Sequence, residues 1–239
     1  MPINICRYVP LQRFCEMVFN SELCLLSPEK WNDKYENYIL QLIKSNRVDQ
    51  LKDALIKNSI GKKDEVDDWI DLVTILCTKA RCLCFSKSID EEVMWNAYNY
   101  NNETIMWITT DHDLENLNPL FDLRFVNYDL ESIGFLGLLK RCYYHDEKRA
   151  GVNNDYHLFT HKRKMFSYEN ELRLINVIEP TENTEIYRCP IPSIKDFIKG
   201  VMVHPLANSS YISLIELLCS HFDIPFLGRS SIYNIDTIL

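Results

Sequence analysis

The feature that most constrains this sequence is a series of short apolar runs, rich in isoleucine, valine and aromatic residues, interleaved with helix-like segments in no regular order. INICRY, ELCLLS, RCLCFS, ETIMWITTD, DLRFVNYDL, TEIYRCP, KGVMVHP and IPFLG have the length and composition of strands. Between them, PLQRFCEMVFNS has amphipathic helical spacing opened by Pro10, and Ser27-Pro28-Glu29 reads as a capped helix start. SIDEEVMWNAY predicts a helix following the RCLCFS strand directly, HDLENL a helical turn, and ANSSYISLIELLCSHF a further helix. Irregular alternation favours an α+β fold with a mixed, largely antiparallel sheet over a doubly wound parallel one. Residues 36–79 are helical in pattern and charge-rich, and their apolar stripes need something to pack on. They read as a helical insertion within a single domain spanning 1–239.

One stretch carries unusual charge. In SYENELRLINVI, residues 167–178, an extended chain would turn Glu169, Glu171 and Arg173 to the same side, because side chains alternate along a strand. Either water or a ligand must lie over such a face. Two carboxylates held close together can stabilise an oxocarbenium-like centre and deprotonate the incoming nucleophile, which is the logic of glycosyl transfer. NAD is a substrate of that kind, since its nicotinamide–ribose bond breaks with positive charge developing on the sugar. An exposed face with weak cross-strand ion pairs, each worth about 0.2–1 kcal/mol, explains the same pattern.

Absences narrow the field. With only six glycines and neither GxGxxG nor GxxxxGK[ST], the chain lacks the backbone loops that approach phosphates, so any nucleotide must be held by side chains. No HExxH, GxSxG or EF-hand loop is present, and no metal site is expected. A net charge of −8 argues against broad attraction to nucleic acid or anionic membrane, and HKRK at 161–164 is the one dense basic cluster. Nine cysteines without a repeated CxxC suggest neither a disulfide framework nor a zinc finger, and Cys82 and Cys84 read as core packing. MPINICRYVP has no signal-peptide pattern and no apolar run reaches membrane-spanning length, so a soluble protein of the reducing cytoplasm is expected, with no membrane partner.

Other positions admit two readings each. Arg7, near the end of the first strand, suits a pyrophosphate or a plain surface role. Ser86 either orients a ribose or amide or caps the following helix. In SPEKWNDKYE, Trp31, Asn32, Asp33 and Glu36 form either a ligand wall or a helix end with an Asx turn.

Taken in order, RY, NSELCLLSPEKWNDKYE, CLCFS, MWNAY, HKRKMFSYENELRLI and IKGVMVHP resemble the bacterial family called domain of unknown function 2971, from about residue 5 to 225. Trp31 departs from that family's usual phenylalanine, and NAYNYNNETIMWITT lacks its histidine-tyrosine and glycine. More distantly, Arg7, Ser86 and Glu169-x-Glu171 resemble the arginine, serine and glutamate-x-glutamate layout of ADP-ribosyltransferases, which would imply split sheets. That resemblance implies catalysis by Glu171 and Glu169, with Glu169 on the acceptor side, and NAD, as substrate, held by Arg7, Tyr8, Ser86 and Arg173. Asn32, Asp33, Trp95, Tyr98 and Lys162 join the substrate-binding set.

The leading expectation is an NAD-consuming enzyme, an ADP-ribosyltransferase or NAD glycohydrolase, acting as a bacterial toxin or phage-defence effector. Its partners would be a protein or nucleic-acid acceptor and an antitoxin or defence-system protein. A nuclease or RNA-modifying effector using His157, His161, Lys162 and Arg163 is one alternative. A non-enzymatic sensor or protein-interaction module is the other.

Overall fold

The computed structural model describes residues 1–31, 33, 35–36, 38–45, 47–147, 158–178 and 185–234, the side chains of 44 and 144–147 excepted. Asn32 and His157 therefore lie outside the described residues. Strand β1 (Asn4–Pro10) runs into α1 (Leu11–Asn20), which starts where Pro10 fixes the backbone and ends at Ser21 in a left-handed conformation (φ 51°). β2 (Glu22–Leu26) follows, then a 3-10 turn at Pro28–Lys30, whose Glu29 amide donates to the Ser27 hydroxyl. The helical segment comprises α2 (Tyr38–Lys44), α3 (Val48–Lys57) and α4 (Lys63–Lys79). Next come β3 (Ala80–Ser86), α5 (Glu92–Ala97), β4 (Thr104–Thr110), α6 (Asp111–Leu117), β5 (Asp122–Phe125) and α7 (Leu130–Glu147). The remaining elements are β6 (Glu171–Val177), β7 (Ile186–Pro190), α8 (Ile194–Phe197), β8 (Gly200–Val203), α9 (Ser209–His221) and β9 (Phe226–Arg229).

These strands form one mixed, mostly antiparallel sheet in the order β5-β6-β3-β1-β4-β8-β9, with β2 joined to β3 and β7 joined to β2. Only β8 and β9 pair in parallel among the described strands. The fold is therefore α+β, as the irregular alternation predicts. The pairing is uneven in a way that matters. β1 pairs with β4 along its whole length, and β3 with β6 from Ala80–Val177 to Ser86–Glu171. Yet β1 and β3 meet at one residue pair, Cys6 opposite Ser86, and β2 meets β3 at one pair, Leu26 opposite Cys82. The sheet is continuous but nearly divided, and its two halves splay apart beyond Cys6.

Three apolar clusters fix this arrangement. On one face Ile5, Phe14, Val18, Leu83, Phe85, Trp107, Leu174 and Ile215 pack beneath α1, α6, α8 and α9. On the other, Cys6, Tyr8, Met94, Trp95 and Met106 pack under α5. The third gathers Leu51, Leu55, Ile70 and Val73 of α3 and α4 with Leu139 of α7, against Cys82 and Ile175 of the sheet. Fully burying a leucine or valine is worth about 1.5–3 kcal/mol, which is why the charge-rich helices stay anchored to β3 and β6. No helix among the described residues is long and apolar enough to cross a membrane.

Three local expectations are corrected. Residues 164–169 form a 3-10 helix, Asn170 is left-handed (φ 43°), and β6 begins only at Glu171. Asparagine tolerates that conformation through its short polar side chain, so the strand starts later than its charge alternation suggests. The helix after β3 does not follow directly: it starts at Glu92, and Ser88 instead donates to the Tyr168 carbonyl. The sequence reading has no helix over 130–147, whereas α7 fills that span with a break at Gly134 (φ 61°, ψ 178°). The break rotates the two halves of its apolar stripe out of register, which hides the helical period.

Candidate active site

Where β1 and β3 diverge, a cavity of about 90 Å³ opens between them. Its lining includes Arg7 and Tyr8 from β1, Cys84, Phe85 and Ser86 from β3, Tyr98 at the end of α5, and Glu169 and Glu171. Arg7, Tyr8 and Tyr98 also line a second cavity of about 580 Å³ that continues between β1, α1, β2 and β7, with Arg13, Arg188, Tyr100 and Trp107 on its walls. Together they form a small, partly aromatic recess opening into a larger chamber. The larger volume falls within the roughly 300–1,000 Å³ usual for small-molecule sites.

The carboxylates sit at the back of the recess in a buried ionic cluster. Arg173 donates from Nε to Glu171 Oε1 (2.7 Å) and from Nη2 to Glu171 Oε2 (3.1 Å) and Glu36 Oε2 (2.6 Å). Lys162 Nζ lies 2.5 Å from Glu169 Oε2, 3.2 Å from Glu171 Oε2 and 3.1 Å from Glu36 Oε1. The indole of Trp31 covers Arg173, with the guanidinium 4.1 Å from its ring centre. Burial works to raise the Glu171 carboxyl, but Arg173 and Lys162 outweigh it and hold the group at about 2. Glu169 moves the other way: burial pushes it up, and Lys162 offsets this only in part. One glutamate is thus a fixed anion while its neighbour is the easier to protonate.

The remaining lining groups have defined partners. Ser86 Oγ donates to the Glu169 carbonyl (2.6 Å) and accepts from the Ser88 amide (2.9 Å), so it braces the turn carrying Glu169. Tyr8 donates to the Ser88 carbonyl, its ring stacks on Tyr98 at 6.2 Å, and Tyr98 donates to Glu169 Oε1 (3.3 Å). Burial, and then Glu169, push the Tyr98 phenol up, so it stays a neutral donor. Arg7 is half-buried against the Phe85 ring and forms no ion pair among the described residues. Burial lowers it from its ordinary value, but a guanidinium remains charged. A cation with no acidic partner, aimed into a chamber, is suited to an anion. Burial, and next Glu171, keep the Cys84 thiol protonated.

The structure brings Arg7, Tyr8, Ser86, Tyr98, Glu169 and Glu171 to one recess. Arg173 and Lys162 stand behind the glutamates and do not line the cavity. Trp95 is fully buried beneath Tyr8, with its indole N–H on Asp90 (2.8 Å). Asp33 forms an Asx turn with the Tyr35 amide (3.0 Å) and pairs with Arg163 (3.1 Å). The basic cluster is engaged within the protein: His161 Nδ1 lies 2.8 Å from Asp129, Lys162 faces three glutamates, and Arg163 covers the Tyr35 ring. Glu36, which the sequence offers for a ligand wall, is an integral member of the ionic cluster. Only its place after the aromatic-polar stretch hinted at that.

No family model matches the sequence and no curated protein matches it, so the family likeness carried by the motifs stays a resemblance. Among solved structures, the chain is similar to Thermus sp. 2.9 DarT in complex with NAD+, at a TM-score of 0.41 and 8% identity over 95% of each chain. It is also similar to Thermus sp. 2.9 DarT in complex with ADP-ribosylated ssDNA, at a TM-score of 0.42 and 8% identity over 96% of this chain and 95% of that one.

Proposed function

We propose that the protein consumes NAD, as an ADP-ribosyltransferase or NAD glycohydrolase, and that the recess between β1 and β3 is its active site. The observation that carries this reading is the convergence of Arg7, Ser86, Glu169 and Glu171, from three distant parts of the chain, on one recess beside a larger chamber. The tyrosine pair provides flat apolar walls for a nicotinamide ring, and Arg7, at the junction of the two cavities, suits the pyrophosphate. Glu171, ionised across the physiological range, faces the positive charge that develops on the ribose. The carbon–nitrogen bond breaks with its electron pair leaving on nicotinamide, and an acceptor hydroxyl, amine or water forms the new bond to the anomeric carbon. Glu169 takes the proton that the nucleophile releases.

The acceptor would be a protein or nucleic acid in the transferase case and water in the hydrolase case. Either activity inside a bacterium would be damaging, which fits a cytoplasmic toxin or phage-defence effector held in check by a partner. Incubating purified protein with NAD and following nicotinamide release tests the reading. Glu171→Gln, with parent-like circular dichroism, is expected to lower turnover by at least about 10²-fold, in line with loss of one transition-state electrostatic contact. No nicotinamide release by the parent, or an unchanged rate in the variant, rejects it.

A further inference from the structure

Three carboxylates, Glu36, Glu169 and Glu171, share two cations, Lys162 and Arg173, in a site nearly closed to water. Glu36 comes from the start of the helical insertion, and it alone of the three glutamates does not line the recess. It nevertheless touches both cations, at 2.6 Å from Arg173 and 3.1 Å from Lys162. We propose that Glu36 is a positioning residue: it competes with the recess glutamates for Lys162 and Arg173, leaving Glu171 a permanent anion and making Glu169 the carboxyl that exchanges a proton. The catalytic meaning of that exchange rests on the NAD-consuming reading, whereas the division of charge does not.

Arg173 satisfies Glu171 with two of its hydrogen bonds and reaches Glu36 with another, but makes none to Glu169. Lys162 is the single cation contacting Glu169 among the described residues, and it is divided three ways. A buried cluster with more carboxylates than cations lowers its energy by binding a proton, and the proton goes to the member with least cationic support. The other groups around Glu169 do not reverse this. Tyr98, Tyr128 and Tyr168 are neutral phenols raised by burial, Cys84 is a half-buried thiol in the recess wall that desolvation keeps protonated, and Arg7 lies across the recess. Removing the Glu36 charge leaves two cations for two carboxylates and frees Lys162 for Glu169.

Carboxyl titration by NMR on glutamate labelled with ¹³C at Cδ, with Glu169 assigned by loss of its signal in Glu169→Gln, reads this without substrate. In Glu36→Gln the Glu169 midpoint is expected to move to lower pH. Glu36→Asp, which withdraws the charge by one methylene, gives a smaller shift of the same sign and decides the matter if the glutamine variant does not fold. An unmoved Glu169 midpoint in the folded variants overturns the proposal, whatever NAD does. If the parent releases nicotinamide, the acid limb of kcat in Glu36→Gln also moves to lower pH with KM little changed. A parent with no turnover but with the shifted titration rejects the proposed reaction and supports the division of charge among the three carboxylates.

Discussion

Replacing Arg173 with methionine is the sharpest test of how the recess is held together. Methionine keeps much of the volume beneath Trp31 but removes the hydrogen bonds to Glu171, Glu36 and the Phe159 carbonyl, leaving three carboxylates facing Lys162. Glu171 is held at about 2, against an ordinary value of 4.5. A depressed carboxyl contributes stability that is complete above the unfolded value and disappears as pH falls through the folded one; integrating gives about 3 kcal/mol at pH 7 and about 1 kcal/mol at pH 3. Breaking a buried ion pair by removing one partner gives an independent figure of about 3–5 kcal/mol, so the two agree. Urea unfolding of parent and Arg173→Met at pH 7 and pH 3 measures the difference directly. The expected result is a loss of about 3 kcal/mol at pH 7 that shrinks by more than half at pH 3. A loss below about 1 kcal/mol, or one equal at both pH values, would refute the claim that Arg173 is the main support of the Glu171 charge.

Two further expectations concern neighbouring groups. Arg7→Met should leave the protein as stable as the parent or more stable, by up to about 1 kcal/mol, because a partly desolvated cation with no acidic partner among the described residues is replaced by an apolar side chain. The same change should remove NAD binding in calorimetry, and a drop in the melting temperature with binding intact would contradict it. Cys84 should react slowly with iodoacetamide at pH 8 in the native protein and faster once the chain is unfolded in urea, since desolvation in the recess wall keeps the thiol protonated. Peptide mass spectrometry reads both states, and native labelling as fast as in urea would contradict a thiol held protonated by its surroundings.

What local sequence determined, and what it could not, follows from the range of the forces involved. Apolar alternation placed β1, β3, β4 and β8, and Pro10 and Ser27 marked where a helix and a 3-10 turn begin, because each depends on side chains a few residues apart. The spacing of Glu169 and Glu171 likewise announced paired carboxylates, though on the wrong backbone: a left-handed Asn170, not continuous strand alternation, turns both into the recess. The broken stripe of α7 stayed hidden for the opposite reason, a local signal cut in two by Gly134.

Only the tertiary structure decided that β1 and β3 share a single pair at Cys6 and Ser86 and then separate, which is what creates the recess. It also decided that Glu36, 137 residues from Arg173, completes the ionic cluster. Burial and long-range charge pairing have no periodicity to read along a chain. They determine whether the same residue type is a fixed anion, an exchangeable acid or a solvated surface charge, and they exist only once the chain is folded.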